Sequence, residues 1–181
     1  LTASLGEITL TESVYAPVLD ALADHKPQTL ARLAELVQPK SVSFAQLQQA
    51  ITVLAGTGSV APAQDETTIA RARKLTDKAN DWLMSKARST SDISFLACPV
   101  TGGGIPVGRI NQLFAQAFCQ GRKQPAEWAQ AAWQVLAAQG QRIVKEGKAL
   151  ESPEANLAEL TEQAKAFGEK QLPMLKTLQV V

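Results

Sequence analysis

The chain has 181 residues, 45% of them hydrophobic and 5% aromatic, with a formal net charge of +1. That is apolar material enough for one compact domain or two small ones, and it excludes a disordered chain. The balanced charge, with no polybasic stretch, gives no electrostatic reason to expect nucleic acid or an anionic membrane as a partner.

Alanine and leucine fill the place of aromatic residues, which favours helices over strands. No apolar run reaches the ~18 residues of a membrane span, and no signal peptide is recognisable. The first residue is Leu1 and not methionine, the start expected of a domain cut from a longer polypeptide. Cys98 and Cys119 lie in apolar contexts without a partner at metal-binding spacing, and read as reduced thiols of a soluble, cytoplasmic protein. His25 is the single histidine, so a zinc site of Cys and His is not expected, nor any metal or cofactor in this chain.

Residues 7–10 are a short strand candidate. Val14, Val18, Leu19 and Leu22 form a helical stripe that stops before Lys26-Pro27, since proline disfavours the α region in the residue ahead of it. Leu30, Leu33 and Leu36 line a second helix, closed by Pro39. Ser43 is the N-cap of a third, on which Phe44, Leu47, Ile51 and Leu54 share one face. Gly56 and Gly58 end it, and residues 59–61 return as a strand. Strand, helix, helix, helix, strand is the order of a winged-helix unit.

A polar link over 64–68 follows. Ile69, Leu75, Ala79, Trp82 and Leu83 suit a longer helix ending near Arg88. Residues 93–98 are an apolar run that periodicity alone assigns to neither helix nor strand. A glycine-rich loop, Thr101 through Gly108, leads into a helix from Arg109 to about Gln120. Pro125 opens the next helix, with Trp128, Ala132, Leu136 and Ile143 along one face and Gly140 inside it, where it costs roughly 1 kcal/mol and is expected to allow close packing against a neighbouring helix. Ser152 caps the last long helix, whose buried positions are Leu157, Leu160, Ala164 and Phe167. The tail over 172–181 is apolar enough to dock. The fold class is therefore mainly α, with a winged-helix-like N-terminal unit (1–64) packed against a helical C-terminal part (65–181).

Thr101, Gly102, Gly103, Gly104 and Arg109 are the candidate partner-contact residues. The run fails the Walker pattern, because Gly108 is followed by Arg109 and Ile110. It fails the dinucleotide pattern too, with Val107 where a third glycine belongs. Arg109 falls in the first turn of its helix, where the dipole disfavours a cation, so a carboxylate or carbonyl partner is expected. Glu146, Glu151, Glu154, Glu159 and Glu162 are interspersed with Lys145, Lys148 and Lys165 and read as a solvated, salt-bridged face. Ser85, Ser89 and Ser91 have no histidine nearby to activate them. Of Trp128 and Trp133, one is expected in the core and one at a domain interface. No lysine or arginine occurs between Ser41 and Ala70, so the would-be recognition helix lacks the phosphate contacts that DNA binding draws on.

Four ordered segments carry a resemblance: Phe95-Leu96-Ala97-Cys98-Pro99-Val100-Thr101-Gly102-Gly103-Gly104; Arg109-Ile110-Asn111-Gln112-Leu113-Phe114; Ala138-Gln139-Gly140-Gln141-Arg142; and Ser152-Pro153-Glu154-Ala155-Asn156-Leu157-Ala158-Glu159-Leu160. Together they resemble the C-terminal part of bacterial class I S-adenosylmethionine-dependent methyltransferases, including protein-lysine methyltransferases that modify outer-membrane proteins. The resemblance covers most of 93–181, and over 1–64 it rests on the winged-helix pattern. Cys98 stands where that family leads one to expect serine.

The resemblance implies an upstream Rossmann-like catalytic domain in the same polypeptide, holding S-adenosylmethionine, then a regulatory segment and a winged-helix region. No strand-Gly-x-Gly-helix unit of the catalytic domain occurs in this chain. Its implied role is a non-catalytic accessory or regulatory one, shaping substrate access or recognising a protein substrate. Two rivals stay open: a winged-helix DNA-binding regulator and a helical protein-interaction adaptor.

Overall fold

The computed structural model describes residues 2–3, 6–7 and 9–181, and its architecture is mainly helical. The chain divides into two units, Leu1–Ala63 and Gln64–Val181. Gln64 belongs to the second, where its N–H donates to Val100 O at 2.7 Å.

In the first unit β1 (Thr2–Ala3) pairs antiparallel with β2 (Gly6–Glu7). Three helices follow: α1 (Glu12–Leu22), α2 (Leu30–Val37) and α3 (Phe44–Gly56). Side-chain caps set two of the starts. Thr29 Oγ1 accepts from Arg32 N–H at 3.1 Å, and Ser43 and Gln46 exchange reciprocal bonds of 3.3 and 2.9 Å as a capping box. Val18, Leu33, Val37, Val42, Leu47, Ala50 and Leu54 form the unit's core.

Two strand expectations are corrected here. Thr9 and Leu10 form no strand, and Ile8 lies outside the described residues; the pairing is made at Gly6–Glu7. Residues 59–61 form no strand either. Gly58 takes φ +73°, and Gly58 and Ser59 donate back to Ala55 O and Leu54 O. This Schellman closure spends the backbone groups on ending α3.

Phe44, expected inward, is 53% exposed. The buried row of α3 is Leu47, Ala50 and Leu54, because the small Ala50 lets the neighbouring helices approach. Ile51 and Phe44 lie about 65° and 85° round from the centre of that row, so the first is half-buried and the second faces out.

The second unit opens with α4 (Glu66–Lys86) and the hairpin of β3 (Phe95–Cys98) with β4 (Gly103–Pro106). α5 (Arg109–Cys119) and α6 (Pro125–Ala138) follow, then the short hairpin of β5 (Val144–Lys145) with β6 (Lys148–Ala149). α7 (Pro153–Ala166) runs through a π-helical segment, Phe167–Gln171, into α8 (Leu172–Thr177). Ser152 caps α7, accepting from Ala155 N–H at 3.1 Å. Fully buried Ala115, Ala129, Ala132 and Ala164 let α6 pack closely on α5 and α7. An aromatic chain runs through this core: Phe114 meets Phe167 at 5.8 Å between centroids, and Trp128 meets Phe167 and Phe118 edge-on at 6.0 and 6.1 Å. Trp128 is thus the core tryptophan, and the tail docks through Leu172, Leu175 and Val180.

Gly140 is not inside a helix. α6 stops at Ala138, and Gly140 takes φ +65° while Gln141 N–H donates to Leu136 O at 2.9 Å. Nothing lies within 4 Å of where a Cβ would sit, so the glycine serves the left-handed turn and not a close helix contact. On α4 the expected stripe holds in part: Ile69 is in the core and Leu83 packs against it, but Leu75, Ala79 and Trp82 face out. Ile69, Asn80 and Met84 are buried, whereas Leu75 is 71% and Trp82 56% exposed.

Candidate functional site

The glycine run is not a loop leading into a helix; it forms the turn and second strand of the β3–β4 hairpin. Cys98 pairs with Gly103 and Ala97 with Gly104, leaving residues 99–102 as the connection. Gly102 takes φ +70°, and a Cβ there would lie 2.6 Å from Gln64 Nε2. Gln64 folds over the turn and bonds the carbonyls of Val100 and Thr101, at 2.7 Å through its N–H and 3.5 Å through its side chain. Gly103 has ordinary backbone and room for a Cβ, which would meet only Thr101 Oγ1 at 3.9 Å, and Gly104 is roofed by Phe95, 3.4 Å from where its Cβ would sit. Cys98 is buried beneath the turn. Its thiol accepts from Thr101 N–H at 3.4 Å and donates to Leu178 O at 3.5 Å, two bonds that a serine hydroxyl would also make.

Arg109 lies past the opposite end of β4 from this turn, so the structure does not gather the five candidate contact residues into one patch. Its guanidinium is half-buried and engaged within the chain. Nε donates to Ala87 O at 2.7 Å, Nη1 to Gln141 Oε1 at 2.7 Å, and Nη2 to Gln139 Oε1 at 2.9 Å and Arg88 O at 3.5 Å. Gln139 Nε2 also donates to Arg88 O. Ala87 and Arg88 directly follow α4, at its C-terminal end, where unpaired carbonyls and the negative end of the dipole attract a cation. The carbonyl partner expected for Arg109 is thus supplied by α4. Beside it opens a shallow cleft of about 490 Å³, lined by Arg109, Gln141, Arg142 and Gln163 over Ile110 and Ile143.

Three buried amides went unnoticed in the sequence. Asn80 bonds both backbone groups of Ala97 and the carbonyl of Val180. Gln112 Nε2 donates to Ile93 O and Val107 O, both at 2.8 Å, closing the open end of the hairpin, while its Oε1 has no partner among the described residues. Asn156 accepts from Ile143 N–H at 2.7 Å and donates to Leu150 O and Ser152 O, which anchors the β5–β6 hairpin. A lone polar residue on an apolar helix face, flanked by Leu113 and Phe114 or by Leu157 and Leu160, was the signal available.

Lys145 lies 2.6 Å from Glu159, and Lys165 2.7 Å from Glu162. The Lys145 ammonium and the Gln163 amide hold the Glu159 carboxyl below its ordinary range. Backbone N–H groups of Gln124 and Lys123, with Arg122 nearby, do the same for Glu127. Burial, then the carboxylates of Asp81 and Asp77, push the Cys119 thiol up, the reverse of what a nucleophile needs. Cys98 and Cys119 are both free. No group of three His, Cys, Asp or Glu side chains fit for a metal occurs among the described residues, and none of their helices is long and apolar enough to cross a membrane.

No family model matches the chain, and no solved structure matches it. Over 174 residues, 96% of its length, it is 38% identical to an uncharacterized protein of Synechocystis sp.. The chain spans about a third of that relative, 33% of its length.

Proposed function

We propose that this chain is a non-catalytic accessory part of an S-adenosylmethionine-dependent methyltransferase, shaping substrate access or recognising a protein substrate beside a catalytic domain that holds the cofactor. The observation that carries the accessory reading is the coverage: nearly all of the chain aligns with one third of a longer relative. The methyltransferase reading rests on the four ordered segments, and their structural roles support it. Arg109 of the second segment bonds Gln139 and Gln141 of the third. Gln112 of the second closes the hairpin built from the first. Asn156 of the fourth bonds Ile143, next to the third. These residues are joints of this chain's own fold, which is what the resemblance would require of the segments that carry it.

The order of α1, α2 and α3 supports a winged-helix-like first unit without its returning strand. The proposed setting is the cytoplasm. A stripe of Leu75, Ala79 and Trp82 stands exposed on α4, with Lys86 Nζ 5.2 Å from the Trp82 ring centroid. This stripe favours protein contact over DNA, and keeps the adaptor reading as second.

The experiment is calorimetric titration of S-adenosylmethionine into this chain and into the complete polypeptide encoded by its gene. No binding to the chain and one site on the complete polypeptide is expected. Micromolar binding to the chain alone, or none to either protein, overturns the proposal.

A further inference from the structure

Between α5 and α6, on the face where the turns after α4 and α5 converge, lies a cleft of about 190 Å³. It exists because small residues face one another across the helix crossing: Ala117 from α5 against Ala131 and Ala138 from α6, with Val135 between. Around this apolar floor stand Arg88, Arg122, Gln116, Gln120 and Gln134, and no aspartate or glutamate lines it.

Apart from Gln139, which also lines the cleft and is taken by Arg109 and the Arg88 carbonyl, the polar groups of the rim have almost nothing to do inside the chain. Among the described residues, the side chains of Gln116, Gln120, Gln134 and Arg88 make no hydrogen bond, and Arg122 Nη1 makes a single long one, 3.3 Å to Glu127 O. Neither arginine is in an ion pair among those residues. Arg122 bears on Glu127, whose carboxylate is already taken by the backbone N–H groups of Lys123 and Gln124. Asp77 and Asp81, the carboxylates acting on Cys119 near the end of α5, are not part of the lining.

The chemistry of such a rim is specific. A guanidinium presents a planar fork of donors that fits a carboxylate. A glutamine amide carries a donor and an acceptor together, the complement of a peptide group. The volume falls below the roughly 300–1,000 Å³ of pockets that enclose a whole small molecule, so the occupant enters as one side chain of something larger. We propose that this cleft binds an extended acidic peptide segment of a protein substrate, with an aspartate or glutamate carboxylate on Arg88 and Arg122 and neighbouring peptide groups on Gln116, Gln120 and Gln134. The biological setting rests on the substrate-recognition reading above, while the chemistry belongs to this chain's own residues.

The probe is the blocked pentapeptide Ala-Ala-Glu-Ala-Ala, titrated into the full 181-residue chain with side-chain amide NMR as readout. Its Ala-Ala-Gln-Ala-Ala counterpart and sodium acetate are the comparisons. The glutamate peptide should shift the amides of Gln116 and Gln134, and the glutamine peptide should bind about tenfold more weakly, the loss of one charge-assisted pair. Arg88→Gln with Arg122→Gln should abolish the difference between the peptides. Arg142→Gln, in the other cleft, should keep it. Neither arginine is in an ion pair among the described residues, and their side chains give up a single long hydrogen bond, from Arg122, so circular dichroism verifies the fold of the double variant.

Equal binding of the two peptides, unchanged binding in the double variant, or no shift at millimolar peptide overturns the proposal. Acetate reproducing the peptide's shifts at equal concentration overturns the peptide reading. None of these outcomes bears on the S-adenosylmethionine titration, so the two proposals fail separately.

Discussion

The side chain of Asn80 pairs with both backbone groups of Ala97: Oδ1 accepts from the N–H at 2.7 Å and Nδ2 donates to the C=O at 2.8 Å. A second bond from Nδ2 reaches Val180 O at 2.9 Å. One fully buried amide on α4 thereby acts as a strand neighbour to β3 and ties down the tail. Asn80→Ala leaves buried backbone groups unpaired, so it should lower stability by at least about 1–3 kcal/mol. Urea unfolding measures the loss, and hydrogen exchange should show faster opening at the Ala97 amide.

Leu47 and Phe44 lie on the same helix with opposite environments, the first fully buried and the second 53% exposed. Leu47→Ala should cost about 2–5 kcal/mol. Phe44→Ala should stay within about 0.5 kcal/mol. Equal denaturation midpoints for the two variants would refute the placement of α3.

Gly102 and Gly103 are adjacent and differ in what they require. Gly102 combines φ +70° with an approach of Gln64 that no Cβ fits, whereas Gly103 meets only Thr101 Oγ1, at 3.9 Å. Gly102→Ala should destabilise by about 1 kcal/mol or more, and Gly103→Ala should be near neutral. Thermal unfolding of both variants decides this.

Arg109 ties α4 to the turn after α6 through a forked guanidinium, so a point charge is no substitute. Arg109→Ala should cost about 1–3 kcal/mol, and Arg109→Lys should recover less than half of that. Chemical denaturation of both variants checks the prediction, and full recovery by lysine would refute the forked role.

The Lys145–Glu159 pair lies at the surface, with Lys145 exposed and Glu159 half-buried, and sets a pH window rather than a large energy. Glu159 is depressed by its partner in the folded state, so its contribution is present above the unfolded pKa and lost as pH falls through the folded one. Lys145 is raised, so its contribution is present below the unfolded pKa and lost as pH rises through the folded one. The stability difference between the native chain and Glu159→Gln should be flat between about pH 5 and 10 and shrink on both sides. Urea midpoints across that range measure it.

Local signals in the sequence carry much of the helix layout. Ser43, Ser152 and Pro125 mark helix starts because caps and first-turn prolines act over three or four residues. The apolar spacing of Leu47 with Leu54, or Leu160 with Ala164, reaches the core for the same reason: it is periodic within one element.

Facing and joining were decided by tertiary structure. On α4 the stripe of Ile69, Leu75, Ala79, Trp82 and Leu83 reaches the core only at Ile69 and Leu83, since the buried side between them uses Asn80, whose polarity is satisfied by Ala97 and Val180 from distant segments. The run after Pro99 reads as a loop until Phe95–Cys98 pairs with it, and Gly140 reads as helix interior until its φ shows the turn.

The clefts lay beyond the sequence as well. Arg88, Gln116 and Gln134 belong to different elements, and nothing in their spacing along the chain says that they share a rim. A sequence determines what each element can bury or cap from its neighbours a turn away; which polar groups find partners, and which are left facing a cleft, depends on residues brought together only by folding.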